Sequence, residues 1–257
     1  MFTVEQRDAL RERMLGLAEE DERVVAAAAV GSLAVDAGDR YSDVDLTYAT
    51  VDDVPVAEVL DEWTRRLAEE LDAVRLVDLA RGSTTYRVFL LPEALQLDVS
   101  MTPAAEFRPA GPRFRLVFGE TAPESLGAPP PATGSLFIAT PTIPEDVFGW
   151  GVVYALHARA CIDRGRVLQA EHYVGAVRDH ALSLACLREG AVPVQARGYD
   201  DLSAETRARF ADTHVGAAER TAPQTALSAS VLGLLHEGTE ADFPHAGTVA
   251  ERLAELV

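Results

Sequence analysis

The sequence predicts an α/β N-terminal domain, in which a mixed sheet has flanking helices, followed by an all-α C-terminal helical bundle. Three observations support this fold class. Strand-like alternation of polar and apolar residues occurs only before residue 120, a proline-rich stretch follows it, and the remaining pattern is helical with glycines at helix ends. With 257 residues, 48% of them hydrophobic, the chain is long enough to bury substantial cores.

The N-terminal part alternates between helical and strand patterns. Thr3 and Gln6 form a capping-box pattern that opens a helix. The apolar run 24–30 suits a buried strand, although its alanines also allow a helix. A second helix is expected to start at Pro55, with Asp52 and Asp53 as possible caps. Strands are predicted at 43–48, 74–79, 85–91, 95–101 and 114–118.

The segment 121–144 contains too many prolines for the interior of a helix or strand, so we expect a linker there. The predicted organisation is an N-terminal domain over 1–125, a proline-rich linker over 126–144 and a helical bundle over 145–257. Glycine just past a helix is a common stop. On that basis the bundle helices are predicted at 145–164, 167–189, 203–213, 223–237 and 246–256.

Charge and hydropathy exclude several classes of partner. The formal net charge of -18 and the lack of a Lys/Arg-rich stripe argue against nucleic acid as a partner. The same field attracts a cationic small substrate, although acidity that only maintains solubility fits equally well. No apolar run approaches the roughly 20 residues of a membrane helix, and no signal-peptide pattern opens the chain, so we expect a cytoplasmic protein. Cys161 and Cys186 are expected to be reduced core residues.

Two aspartates mark the centre of the N-terminal domain. Gly31-Ser32 precedes Asp43-Val44-Asp45, with ten residues between Ser32 and Asp43. Alternate residues of a strand point to the same face, so the two carboxylates project together. Like charges this close are tolerated when a cation lies between them. Magnesium fits because it prefers oxygen ligands and is commonly held by one or two carboxylates plus substrate phosphates.

A second strand supplies a third carboxylate. In the segment 95–101, Gln96, Asp98 and Ser100 alternate with apolar residues, and Asp98 is the only acid. Three carboxylates from adjacent strands can hold two metal ions, as in two-metal phosphoryl-transfer sites. Gly31 permits close backbone approach to a phosphate, and Ser32 can donate hydrogen bonds to its oxygens.

The combined motif resembles that of the DNA polymerase β-type nucleotidyltransferase superfamily. It consists of Gly-Ser, a gap of ten residues, Asp-x-Asp and a later acid on a strand. This resemblance covers about residues 20–120. The helical second half resembles the antibiotic nucleotidyltransferases of that superfamily, which adenylylate aminoglycosides or lincosamides. Its segments 149–159 and 169–173 are similar to bacterial proteins known only as nucleotidyltransferase-domain proteins.

The resemblance implies a role for each residue of the motif. Asp43 and Asp45 would bind both metal ions, Asp98 would bind the catalytic one, and Gly31 and Ser32 would cradle the triphosphate. The implied cofactors are two Mg²⁺ ions, with an NTP, expected to be ATP, as co-substrate. Taken singly, a Gly-Ser pair is a common turn and Asp-x-Asp a common solvated strand end. The combination with Asp98 favours the functional interpretation.

Three other side chains have both a functional and a structural interpretation. Arg40 is a candidate for triphosphate binding, but an exposed ion pair with Asp39 or Asp43 fits as well. Trp150 and Tyr154 are four residues apart on a predicted helix, which favours packing over a base-stacking platform.

The general base has several candidates. In some antibiotic nucleotidyltransferases a carboxylate outside the metal site deprotonates the acceptor hydroxyl, and Glu171 resembles that group. Glu145 and Asp146 at the preceding helix start are alternatives, each also explicable as a solvated acid. Asp98 competes for this role from within the metal site.

The resemblance and the residues together predict a magnesium-dependent enzyme that transfers AMP from ATP to a hydroxyl of a small acceptor. The acidic chain suggests a cationic acceptor such as an aminoglycoside-like antibiotic. Two alternatives remain: an enzyme of the same fold that modifies a protein or tRNA, as in toxin–antitoxin systems, and a catalytically silent nucleotide-binding module.

Overall fold

The computed structural model describes residues 1–109, 113–123, 143–216 and 221–256. The chain divides into two compact units, Met1–Phe137 and Ile138–Val257. The boundary falls within residues 124–142, so nearly all of the predicted linker 126–144 lies outside the described residues.

The first unit is built around a six-stranded mixed sheet, as predicted. Its strands lie in the order β3-β4-β5-β2-β1-β6, in which β2 and β5 are parallel and the other neighbouring pairs are antiparallel. The elements are α1 (Val4–Glu20), β1 (Val24–Val30), β2 (Val44–Thr50), α2 (Val56–Leu71), β3 (Val74–Arg81), β4 (Thr84–Leu90), β5 (Gln96–Pro103) and β6 (Phe114–Phe118).

One face of the sheet packs against α1 and α2 and forms the main core. The alternate residues of β2 and β5 that face it are apolar, apart from Thr50 at the end of β2, and almost fully buried. The ring of Tyr48 meets that of Trp63 edge to face, with centroids 5.0 Å apart. Trp63 also donates its indole N–H to Asp21 at 2.9 Å, which ties α2 to the end of α1. The buried core therefore fixes which face of each strand points away from the helices.

The opposite face of the sheet has a small apolar cluster at one end and carboxylates elsewhere. Ala26, Ala28, Ala49 and Phe107 form that cluster. The run 24–30 is a strand and not a helix, because it pairs with β2 on one side and β6 on the other. The residues of β2 and β5 beyond the cluster carry the predicted metal-site aspartates.

The predicted cap of α2 is wrong. The structure has Pro55 as the N-cap, with no side-chain hydrogen bond there, because the proline ring has no atom that can accept one. Asp52 instead accepts a hydrogen bond from the backbone N–H of Ala105 at 3.0 Å. The side chain of Asp52 thus binds a distant part of the backbone and does not cap α2.

The second unit is all-helical in its described residues, as predicted. Its helices are α3 (Pro144–Asp163), α4 (Val167–Glu189), α5 (Ala204–Arg209), α6 (Ala222–Glu240) and α7 (Ala246–Arg252). Gly190 ends α4 with a φ of +73°, the left-handed conformation that favours glycine. Cys161 and Cys186 are free and buried, as expected. None of the helices in the described part of the chain combines the length and the apolar character that crossing a bilayer requires.

Candidate metal and nucleotide site

The pairing of β2 with β5 brings three aspartates together. Asp45 lies directly opposite Asp98 in the parallel register, and Asp43 immediately precedes β2. The three residues each offer a carboxylate oxygen, and these oxygens lie within 4.8 Å of one another. Asp43 and Asp45 therefore share a face, as alternation predicts, and Asp98 joins them from the neighbouring strand.

The surroundings of two of these carboxylates disfavour their ionised forms. Burial raises the pKa of Asp45, and the nearby charges of Asp43 and Asp98 raise it further. Burial also raises the pKa of Asp98, as does Asp43, while a hydrogen bond from Gln96 opposes that rise. Without a cation, the group resists holding three negative charges at neutral pH.

The donor set fits a hard divalent cation. All three groups are carboxylates, Asp45 and Asp98 on paired strands and Asp43 just before β2. They form the one group of three or more acidic, histidine or cysteine ligands found in the described residues. Oxygen-only donors suit Mg²⁺, which keeps several positions for water and substrate phosphates. Asp43, Asp45 and Asp98 are thus the residues that could hold such an ion.

Gly31 packs its backbone directly against Asp45. It has a φ of +68°, and a Cβ added at this position would lie 2.2 Å from Asp45 Oδ2. Both its left-handed conformation and its close approach therefore require glycine. Ser32 follows with helical backbone angles, and its carbonyl accepts from the N–H of Ala37 at 3.0 Å. The Gly-Ser turn thus lies beside the metal-site carboxylates.

The loop between this turn and β2 is anchored to α1. Arg7 is 5% exposed, and its guanidinium donates to the carbonyl of Asp39 at 2.6 Å. The carboxylate of Asp39 accepts from the hydroxyl of Ser42 at 3.1 Å and from the N–H of Tyr41 at 3.0 Å. These contacts define the path of the chain immediately before Asp43. Sequence reasoning missed Arg7, which is hard to recognise because it looks like any helix-surface arginine.

One arginine lies on this loop and another contacts it from β6. Arg40 is exposed, and its guanidinium lies 5.0 Å from the centroid of the Tyr41 ring. Its binding to a triphosphate stays a prediction. Arg115, on β6, donates to the carbonyl of Leu33 at 3.0 Å and to Asp36 at 2.8 Å. The sequence analysis gave Arg115 no role, since only the pairing of β6 with β1 brings it to the loop.

Gln96 was placed on the face of Asp98 from the sequence but was given no role. Its side-chain N–H donates to Asp98 Oδ1 at 2.9 Å. The spacing of two residues on one strand is the signal that relates it to the metal-site carboxylate.

The other predicted base candidates belong to the second unit. Glu171 is exposed on α4 and lines a cavity of about 410 Å³ together with His172 and Asp179. Glu145 and Asp146 lie in the first turn of α3. Their catalytic roles stay predictions.

Trp150 and Tyr154 belong to a cluster of rings on α3 and α4. Their ring centroids are 5.9 Å apart, and Tyr154 stacks on Tyr173 at 6.0 Å. His180 meets Tyr154 edge to face at 5.1 Å, and burial lowers the pKa of this histidine. The predicted packing between Trp150 and Tyr154 is therefore present.

The chain is only weakly similar to the known protein named below. No protein-family model matches the chain, and no curated protein matches it. Among solved structures, an aminoglycoside 6-adenyltransferase from Bacillus subtilis matches with a TM-score of 0.32 and 13% identity, over 94% of this chain and 89% of that chain. Because that TM-score is low, the function has to be inferred from the residues of the site.

Proposed function

We propose that this protein is a magnesium-dependent nucleotidyltransferase. In the proposed reaction an acceptor hydroxyl attacks the α-phosphorus of an NTP, ATP in our proposal. The new bond joins the acceptor oxygen to the nucleoside monophosphate, the bond to the β-phosphate bridging oxygen breaks, and pyrophosphate leaves. The observation that carries the proposal is the cluster of Asp43, Asp45 and Asp98, whose carboxylate oxygens lie within 4.8 Å of one another.

Electrostatics supports a metal at this cluster. Burial and the neighbouring carboxylates raise the pKa values of Asp45 and Asp98, which is an unfavourable arrangement unless a cation offsets it. Perturbed titratable groups of this kind concentrate at functional sites. Two magnesium ions bound there would neutralise the triphosphate and activate the attacking oxygen.

The chain's own residues would hold and orient the nucleotide. The Gly31-Ser32 turn packs against Asp45, so a triphosphate that ligates the same cation would meet the N–H and hydroxyl of Ser32. Arg40 is an exposed cation on the same loop and is proposed to contact the outer phosphates. Catalysis would then come mainly from positioning and charge stabilisation.

Asp98 is our proposed acceptor for the hydroxyl proton. It belongs to the proposed metal site, so it could take the proton without any residue of the second unit. Glu171 is the alternative base, and Glu145 and Asp146 are less favoured candidates. The Glu171→Gln variant separates Asp98 from Glu171, because it should lose the acidic limb of the pH–rate profile only if Glu171 is the base.

The proposed acceptor is a small hydroxylated molecule that carries positive charge. The net charge of -18 attracts cations and repels polyanions. We also propose a nucleotidyltransferase domain over 1–125, a linker over 126–144 and a helical bundle over 145–257.

Incubation with α-³²P-labelled ATP, Mg²⁺ and a panel of acceptors tests this function. The panel contains aminoglycosides, lincosamides, bulk tRNA and cell lysate. We expect labelled small molecules and released pyrophosphate. Label on tRNA or protein alone would overturn the acceptor class, and no nucleotide transfer at all would overturn the enzymatic proposal.

Matched variants assign the activity to the site. Asp45→Asn should abolish turnover, whereas Asp53→Asn, an equal change at an exposed aspartate of the same unit, should not. Glu171→Gln is compared with Glu251→Gln, an exposed acid on α7. Turnover by Asp45→Asn at the wild-type rate would refute the metal-site assignment.

A further inference from the structure

We infer that Gln96 is a positioning residue for Asp98, and that its amide holds the Asp98 carboxylate in the orientation that binds a divalent cation. The inference rests on the proposed function, because it concerns the metal site on which that function depends.

Direct contact between the two side chains is the first observation. Gln96 begins β5 and lies two residues before Asp98, so both project from the same face of the strand. Its Nε2 donates to Asp98 Oδ1 at 2.9 Å, and the Gln96 residue is only 4% exposed. Solvent therefore competes little for this hydrogen bond.

The chemistry of the pair determines the orientation of the amide. An ionised carboxylate can only accept, so the NH₂ end of Gln96 must face it. The bond occupies one lone pair of Oδ1 and leaves Oδ2 with its full acceptor capacity. The amide can thus restrict rotation of the Asp98 carboxylate while an oxygen stays available to a metal ion.

The other end of the amide has no partner that would explain its burial. Within the described residues, Gln96 Oε1 is buried and makes no hydrogen bond. A buried acceptor without a partner is unfavourable, and an apolar side chain of equal length would avoid that cost. Stability alone does not account for glutamine at this position, whereas the contact with Asp98 does.

The neutrality of the amide also fits a metal site. An arginine or lysine beside Asp98 would neutralise the carboxylate and compete with the cation. Glutamine donates a hydrogen bond without adding charge, so the negative field of the three aspartates is kept. Groups that orient metal ligands in this way typically change metal affinity by about 10–100-fold when removed.

Mn²⁺ binding to the full-length protein, followed by electron paramagnetic resonance, tests the inference without any substrate. We compare wild type with Gln96→Met, which keeps the length of the side chain and removes the donor. We expect Mn²⁺ affinity to fall about tenfold, with no decrease in the urea midpoint of unfolding. The matched control is Thr102→Val, a buried polar residue farther along β5 that contacts Thr84, and it should change affinity less than about twofold.

A double-mutant cycle shows whether Gln96 acts through Asp98. In an Asp98→Asn background, Gln96→Met should have no further effect on Mn²⁺ affinity, because the carboxylate that it orients is gone. An equal loss in both backgrounds would overturn the inference. A wild-type Mn²⁺ affinity in Gln96→Met alone would also overturn the inference, and in that case the proposed function would stand.

Two further outcomes are distinguishable. If wild type binds no Mn²⁺, the metal site itself fails, and the inference fails with it. If Gln96→Met does not fold, Gln96→Asn replaces it, since asparagine keeps the amide but is one methylene too short to reach Asp98. Unchanged Mn²⁺ affinity in Gln96→Asn would likewise overturn the inference.

Discussion

Replacing Gly31 with alanine tests whether the Gly-Ser turn positions Asp45. Two effects are combined in Gly31→Ala. The residue has a φ of +68°, and an added Cβ would lie 2.2 Å from Asp45 Oδ2. The left-handed backbone alone costs alanine about 1–2 kcal/mol. The contact with Asp45 has to be relieved in addition, and ordinary van der Waals distance requires a shift of about 1 Å.

Gly82→Ala separates the two effects. Gly82 lies in the turn between β3 and β4 with a φ of +58°, and an added Cβ there meets nothing within 4 Å. It should therefore show the backbone cost, about 1–2 kcal/mol, without displacing a metal ligand. Gly31→Ala should lose that stability and also bind Mn²⁺ at least about tenfold more weakly, because a displacement of about 1 Å in a site is costly.

Urea unfolding and Mn²⁺ titration of both variants provide the measurements. Stability should fall in both proteins, and metal affinity should fall only in Gly31→Ala. If Gly31→Ala and Gly82→Ala bound Mn²⁺ equally well, the packing of the turn against Asp45 would have no part in positioning the ligand. A tighter check is the Asp45→Ala background, in which the extra stability cost of Gly31→Ala should disappear.

Three further predictions concern pH and buried ion pairs. Asp21→Asn should cost about 2 kcal/mol at pH 7, because hydrogen bonds from Arg23, assisted by Trp63, lower the pKa of Asp21 to about 2. This stabilisation is present above the unfolded pKa and is lost as pH falls through the folded one. Glu237→Gln should cost about 2 kcal/mol or more, because Glu237 is 1% exposed and accepts from Arg188 at 2.7 Å and 3.0 Å. Mn²⁺ affinity should fall at least about tenfold between pH 8 and pH 6, since protons compete for metal-site carboxylates whose pKa values are raised.

Each of these has a direct check. Urea unfolding of Asp21→Asn and wild type between pH 7 and pH 2 should show the difference in stability narrowing toward acid, and a constant difference would contradict the assignment. A loss below about 0.5 kcal/mol in Glu237→Gln would mean that the buried pair contributes no more than a surface pair. Calorimetric Mn²⁺ titrations in buffers of different ionisation enthalpy should reveal proton release on metal binding. Absence of proton release would refute the idea that protons and Mn²⁺ compete for the carboxylates.

The raised pKa values also set the sign of a stability effect in metal-free protein. In the unfolded chain the aspartate carboxylates ionise near pH 4, which is a lower pH than Asp45 and Asp98 require in the folded site. Metal-free protein should therefore lose stability as pH rises from there through the raised folded pKa values. Excess Mg²⁺ should restore the lost stability in the wild-type protein but not in Asp45→Asn.

Local sequence patterns were enough to predict most helices and strands and the shared face of Asp43 and Asp45. Alternation in 43–48 was enough to put Asp43 and Asp45 on one face, because side chains alternate along any strand. Helical periodicity with terminal glycines was enough to predict α3 and α4 closely. These features depend on neighbours in the chain, which is why one sequence is sufficient to recognise them.

Contacts between residues far apart in the chain could not be predicted from local patterns. Alternation gives the face of a residue but not its partner strand or register, and β2 reaches β5 only after α2, β3 and β4 have intervened. That pairing puts Asp98 opposite Asp45. The contact of Gln96 with Asp98 follows from their spacing of two residues on one strand, whereas the pairing of β1 with β2 brings Gly31 against Asp45. The two strand pairings arise from non-local packing of the sheet on its helices, which no local pattern encodes.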